Sequence, residues 1–296
     1  DFACWAAALV PVPIYETSSA EQIAHVLTDA DVGLVVAETI TMAELVRAAA
    51  ASAGREGTRV LSLDTDALHT ITDSGRSVPR SAPAERTDSL TTSSLATIVY
   101  TSGTTGTPKG TVLSHGNFTD LCTNAHQWIP EIAMGRDSRL LLFLPLAHVL
   151  SRAVSLAVAI GGGTQSHWSN FSTLGVEFQR ARPNLILGVP RVFEKVHNSA
   201  VANAAAGGPV RAALFHKARK AAIEYSRALD TSEGPSRMLK LQHKTYDRLV
   251  YSKIRAAMGN SVHYAISGGS AMSPEILHFF RGIGAPIYEG YGLTET

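Results

Sequence analysis

The chain has 296 residues, 45% of them hydrophobic and 17% charged, with a formal net charge of +1. That length and composition suit one large or two ordinary globular domains with a sizeable core, and exclude a disordered or fibrous chain. A charge so near zero gives no general pull towards nucleic acid, and two unpatterned cysteines, Cys4 and Cys122, suggest neither a disulfide framework nor a zinc site and fit a reducing, cytoplasmic compartment.

Phe2 to Leu9 reads as a helix and Val10 to Tyr15 as a short strand, with Pro11 and Pro13 at tolerated early positions. Ser19 and Gln22 have capping-box spacing, and Ile23, Leu27 and Ala30 then share one helical face. Gly33 to Ala37 reads as a buried strand, Thr41 with Glu44 opens a second helix ending near Gly54, and Arg59 to Leu63 is another strand. This alternation predicts a parallel sheet covered by helices. Residues 64–94, rich in Ser, Thr, Asp, Arg and Pro, read as an exposed connection.

Leu95 to Val99 is a buried-type strand, and Gly110 to Ser114 a further one. Asn117 is expected to cap a helix running to about Trp128. Leu140 to Leu144 reads as a strand, Val149 to Ile160 as a buried helix closed by Gly161 to Gly163, and Leu185 to Gly188 as a strand before a helix opened by Pro190. Val192 to Met258 is mostly helical, without an obvious strand. Between Arg211 and Arg255 eleven Lys or Arg face four Asp or Glu, a local net charge of +7. Such a stretch is either a pair of solvated surface helices or a patch for anions, whether phosphate groups or an anionic membrane surface. Val262 to Ile266 then reads as a strand, Ser267 to Ser270 as a turn, Ser273-Pro274-Glu275 as a helix start and Ala285 to Tyr288 as a strand. The longest apolar run, Leu140 to Leu150, is about half a membrane span and is broken by Pro145 and His148, so any membrane contact is peripheral.

One stretch stands out. Tyr100 to Gly110 reads YTSGTTGTPKG: six of its eleven residues are Thr, Ser or Tyr and three are Gly. Gly103 and Gly106 let the backbone bend so that N–H groups converge on an anion. Thr101, Ser102, Thr104 and Thr105 add hydroxyls and Lys109 a point charge. By its chemistry this is a phosphate cradle. It is not the common P-loop, which needs Gly where Pro108 stands and Ser or Thr where Gly110 stands.

The stretch resembles the phosphate-binding motif of the AMP-forming acyl-CoA synthetases, within the adenylate-forming superfamily. Tyr288 to Thr296, ending in Tyr291-Gly292-Leu293-Thr294-Glu295, resembles the second signature of that superfamily. The resemblance implies an α/β fold of helix-flanked, mostly parallel sheets. It also implies ATP and a fatty acid as substrates, acyl-AMP and pyrophosphate as products of the first step, and CoA as the acyl acceptor. A helical insertion at 192–258 is similar to the long-chain fatty acyl branch.

Within that resemblance, Thr101 to Gly106 and Lys109 hold the β- and γ-phosphates, Thr294 lies beside the α-phosphate, and Glu295 with Thr101 ligates Mg²⁺. Gly268, Gly269 and Ser270 line the adenine pocket with Glu289, Gly290, Tyr291 and Gly292, and Tyr291 offers a face for stacking. A lone His in an apolar run such as Phe143 to Val149 is more often a core residue. The resemblance places His148 at the acyl carboxylate instead, as a positioning residue, because a carboxylate needs no base near neutral pH. The chain opens inside a helix and stops one residue after Glu295. It therefore reads as part of the large N-terminal domain, truncated at both ends and without the family's C-terminal lid, expected to turn over slowly alone. An acyl-AMP ligase loading a carrier protein shares both motifs. A non-enzymatic binding relative would have no reason to keep Lys109, Thr294 and Glu295 together.

Overall fold

The computed structural model describes residues 1–101, 107–129 and 135–295, which form two compact units. The first unit comprises Asp1–Leu121, Leu146–Val149 and Thr294–Thr296. Its first helix, α1 (Phe2–Ala6), is shorter than expected, and Val10 to Tyr15 forms no strand, since Pro11 and Pro13 have no N–H to give a ladder. Helix α2 (Ala20–Asp29) carries the expected capping box: the Gln22 N–H donates to Ser19 Oγ at 3.2 Å and the Ser19 N–H to Gln22 Oε1 at 2.9 Å. Ser19→Ala is expected to lower stability by about 1 kcal/mol, read as a shifted urea midpoint. A midpoint equal to wild type would show that solvent replaces the cap.

Strand β1 (Leu34–Ala37), helix α3 (Ile40–Ser52) and strand β2 (Arg59–Ser62) form a βαβ unit with parallel pairing. The cap of α3 is Thr39, whose Oγ1 accepts from the Met42 N–H, rather than Thr41, which lies inside the first turn. Ile23 and Leu27 of α2 pack on Val46, Ala49 and Ala50 of α3 to make this unit's small core. Residues 64–94 are mainly exposed, as expected, but carry two short helices, α4 (Ala67–Gly75) and α5 (Ala82–Asp88).

Strands β3 (Leu95–Thr101) and β4 (Lys109–Ser114) pair antiparallel, with Thr101 opposite Lys109. The few residues between them are too short for the crossover that a parallel pair requires. Helix α6 (His115–Trp128) starts earlier than expected, on a reciprocal cap: Ser114 Oγ accepts from the Asn117 N–H at 3.2 Å and Asn117 Oδ1 accepts from the Ser114 N–H at 2.8 Å. Asn117 answers the cap rather than forming it.

The second unit comprises Cys122–Pro145 and Leu150–Leu293. Its elements are β5 (Arg139–Leu142), α7 (Val149–Ile160), β6 (Thr164–His167), α8 (Leu174–Ala181), β7 (Leu185–Gly188), α9 (Pro190–Ala206), α10 (Pro209–Ala228), α11 (Arg237–Tyr246), α12 (Ser252–Ala257), β8 (Tyr264–Gly268), α13 (Pro274–Gly282) and β9 (Ile287–Gly290). The five strands form one parallel sheet in the order β6-β5-β7-β8-β9. Strand β6, Thr-Gln-Ser-His, gave no apolar signal because it is the sheet's edge.

As expected, 192–258 is helical, and a π-helical turn at Asp247–Tyr251 joins α11 to α12. That turn carries Tyr251 into full burial, where its hydroxyl donates to the Ala218 carbonyl at 2.7 Å. Helix α10 lies so close to α13 that a Cβ on Gly282 would sit 2.1 Å from the Ala222 carbonyl oxygen. Among the described residues no helix is long and apolar enough to cross a membrane.

Candidate functional site

The first unit holds a cavity of about 330 Å³. Thr101 reaches its wall from the end of β3, Pro108 from just before β4, and His148, Thr294 and Tyr15 from three other segments. The two motifs therefore meet here through Thr101 and Thr294, and His148 joins them. Lys109 stands exposed at the first position of β4, and Glu295 is exposed beside Thr294; neither is part of the wall. Ser102, Gly103, Thr104, Thr105 and Gly106 lie outside the described residues.

The cavity is anchored from below. Tyr100 donates its hydroxyl to Asp29 Oδ2, while the His25 and Tyr100 rings meet in a T-shaped arrangement and His25 Nε2 lies 2.8 Å from the Pro108 carbonyl. Burial, and then the Asp29 carboxylate, push the Tyr100 pKa far above the usual phenol range. Tyr100 is therefore a neutral donor that ties α2 to the strand bearing Thr101. His148 keeps an exposed edge, but partial withdrawal from water pushes its imidazole pKa below the ordinary 6.5.

The neutral ring is thus favoured in the folded protein. Its contribution to stability is present above about pH 6.5 and is lost as pH falls from there through the lowered folded value. Urea midpoints measured across that window should decline more steeply for wild type than for His148→Asn. Parallel pH profiles would contradict this account of His148.

The other expected residues belong to the second unit, at the C-terminal ends of β8 and β9. Here Gly268 pairs with Gly290 and Ser267 with Glu289. The glycines stand here for different reasons. A Cβ on Gly268 would come within 2.5 Å of Leu150 Cδ2, so a side chain there would require Leu150 to shift. Gly269 has φ +86°, a left-handed conformation that suits glycine. Gly290 meets neither constraint and leaves an exposed strand end without a side chain. Glu289 Oε1 accepts the Met272 N–H at 2.8 Å and so pins the segment that follows Ser270. Tyr291 is 95% exposed and presents its ring to solvent, and Gly292 is exposed beside it. The ends of parallel strands in an open α/β sheet are where such folds bind ligands.

Two features escaped the sequence reading. Tyr15 and Gln22 line the first unit's cavity from a segment without a motif. Ser267 Oγ is buried at the end of β8 without a hydrogen-bond partner, a strand-terminal hydroxyl that only the fold shows to be enclosed.

The profile of the AMP-binding enzyme family matches residues 1–296. The chain is 42% identical over 298 residues to long-chain-fatty-acid–CoA ligase FadD15 of Mycobacterium bovis, covering 100% of this chain and 49% of that protein. It is 26% identical to long-chain-fatty-acid–CoA ligase 6 of the mouse, covering 100% of this chain and 43% of the relative. The chain thus spans about half the length of the curated relatives it matches. Among solved structures, the inhibitor-bound N-terminal domain of FACL13 from Mycobacterium tuberculosis superposes with TM-score 0.61 at 20% identity, over 97% of this chain and 57% of that one. The adenylation domain of a carboxylate reductase from Mycobacterium chelonae gives 0.60 at 21% identity, over 97% and 43%. These likenesses fix the fold as that of adenylate-forming N-terminal domains, and, with the family profile matching it from end to end, the chain belongs to the AMP-binding enzyme family.

Proposed function

We propose that the protein activates a long-chain fatty acid with ATP and passes the acyl group to CoA. The observation that carries this reading is the meeting of Thr101, Thr294 and His148 in one cavity. The chain length of the substrate follows the FadD15 relative, which is similar over the whole chain. In the first step a carboxylate oxygen attacks the α-phosphorus and the bond to the β-phosphate breaks, releasing pyrophosphate. In the second the CoA sulfur takes the acyl carbon, AMP leaves, and the thiol proton passes to solvent. Two anions must be brought together in the first step, so the protein's work is positioning and charge neutralisation.

Thr101 and Lys109, with Ser102 to Gly106, would hold the β- and γ-phosphates, and Thr294 would donate to the α-phosphate. His148, kept neutral, would orient the carboxylate by a hydrogen bond rather than remove a proton. For adenine the proposed contacts are Gly268, Gly269, Ser270, Glu289, Gly290, Tyr291 and Gly292. Among the described residues no group of three or more His, Cys, Asp or Glu converges as a metal site. Mg²⁺ usually takes only one or two carboxylates beside phosphate oxygens; Glu295 could supply a carboxylate and Thr101 a hydroxyl oxygen. When bound, that ion neutralises phosphate charge.

We take 1–296 as part of the large AMP-binding domain, with 192–258 as a helical insertion, in a protein acting in the cytoplasm and touching membranes peripherally. Met238 and Leu241 on α11 are 65% and 62% exposed among exposed Arg237, Lys240 and Lys244, a pattern that suits an anionic bilayer surface. Sedimentation with anionic vesicles, lost with neutral ones and on Leu241→Glu, is the expected result; equal sedimentation with both would remove the electrostatic account. The function itself is tested by fatty-acid-dependent exchange of labelled pyrophosphate into ATP. Exchange should rise with long-chain acids, and acyl-CoA should form once CoA is added. Exchange indifferent to fatty acid would overturn the reading.

A further inference from the structure

The segment leading into α2 brings a tyrosine to the first unit's cavity that neither motif contains. Tyr15 lines that cavity with Thr101, His148 and Thr294, which the activation reading places on substrate oxygens. Among the described residues no Asp, Glu, Lys or Arg lines it, so neutral donors must carry polar recognition there. Ile14, Val26, Val99 and Val149 supply apolar wall, and a hydrogen bond made against such a surface is stronger than one in open water.

Two polar side chains of the wall are engaged in the fold. Tyr100 donates to Asp29, and Gln22 Oε1 accepts the Ser19 N–H at 2.9 Å. Tyr15 is different. Its carbonyl accepts the Ser18 N–H at 3.0 Å, but among the described residues no group hydrogen-bonds its hydroxyl, and the same holds for the hydroxyls of Thr101 and Thr294. The Tyr15 side chain is partly buried, and withdrawal from water pushes the phenol pKa above its ordinary value. The hydroxyl therefore keeps its proton near neutral pH and can donate.

The segment is also held in place. The buried Thr97 hydroxyl of β3 donates to the Pro11 carbonyl at 2.7 Å, and the Ser18 bond closes a turn just before the Ser19 cap of α2. Pro11 and Pro13 restrict the backbone between these anchors. Tyr15 is thus tied to the strand that ends in Thr101, the kind of preorganisation that positioning a reactant requires.

We propose that Tyr15 is a further substrate-contacting residue, its hydroxyl donating to an anionic oxygen held between Thr101, His148 and Thr294. It rests on the activation reading only for the identity of the anion. A nucleotide phosphate oxygen and an acyl carboxylate oxygen offer a phenol the same acceptor.

Calorimetric titration of wild type and Tyr15→Phe with AMP and with decanoate tests the proposal and separates the two sources. Tyr15→Phe keeps the ring and removes a hydroxyl that no protein group uses, so its urea midpoint should equal that of wild type. Its affinity for at least one probe should fall about 10- to 100-fold, the scale of a hydrogen bond to a charged acceptor, and the probe affected identifies the oxygen. Fatty-acid-dependent pyrophosphate exchange should fall with it. Wild-type affinity for both probes in Tyr15→Phe, or binding of neither probe to wild type, would overturn the proposal. So would a loss of affinity accompanied by a lower urea midpoint, which would assign the hydroxyl to the fold. Wild-type protein that binds a probe but does not exchange pyrophosphate would end the activation reading, while the affinities of Tyr15→Phe still decide this one.

Discussion

Phe279→Ala is expected to lower the stability of the protein by about 3–5 kcal/mol, the range for removing a large aromatic side chain from a packed core. Phe279 sits on α13 at 1% exposure, in the cluster that joins the sheet to the helices of 192–258. Its ring meets His197 of α9 edge-on at 5.0 Å and Phe280 at 5.4 Å, and lies 6.4 Å from Phe215 of α10. One side chain thus holds three helices together. The neighbourhood cannot close the gap easily, because α10 and α13 already touch at Gly282, where there is no room for a Cβ. The loss would appear as a lower urea midpoint with an unchanged slope. A cost under about 1 kcal/mol would mean that the site collapses freely, against the rigid crossing described here.

The largest expected effect on activity is that of Lys109. Lys109→Ala should reduce fatty-acid-dependent pyrophosphate exchange by about 10²–10³-fold, the scale of removing a donor aimed at transition-state charge. Lys109 is exposed at the first position of β4, so the fold should tolerate the change within about 0.5 kcal/mol. Lys109→Arg keeps the charge but replaces a compact ammonium with a planar fork, and should fall between the two. Exchange at the wild-type rate in Lys109→Ala would remove Lys109 from the phosphate site and leave the cradle to its backbone and hydroxyl groups.

Features governed by local chemistry were legible in the sequence. The Ser19–Gln22 cap, the apolar strands at Leu140 and Leu185, the Pro190 helix start and the helical character of 192–258 depend on neighbours within a turn or on burial of a whole run. Val10 to Tyr15 misled because its apolar alternation resembles a strand while its prolines deny it a ladder. Edge strand β6 was hidden because one of its sides needs no apolar cover. At the candidate site, the motifs supplied Thr101 and Thr294, but not Tyr15, Gln22 or the bond from Tyr100 to Asp29, which join residues far apart in the chain.

The central claim, that these residues bind an acyl-adenylate with a long acyl chain, is tested most directly by thermal denaturation with non-hydrolysable acyl-adenylates of increasing chain length. At about 1,000 times its dissociation constant, a ligand confined to the folded state adds roughly 4 kcal/mol, which a melting curve resolves easily. The account expects the melting temperature to rise with each ligand and most with the longest chains. No rise at any chain length, in protein whose circular dichroism shows the α/β fold, would contradict it.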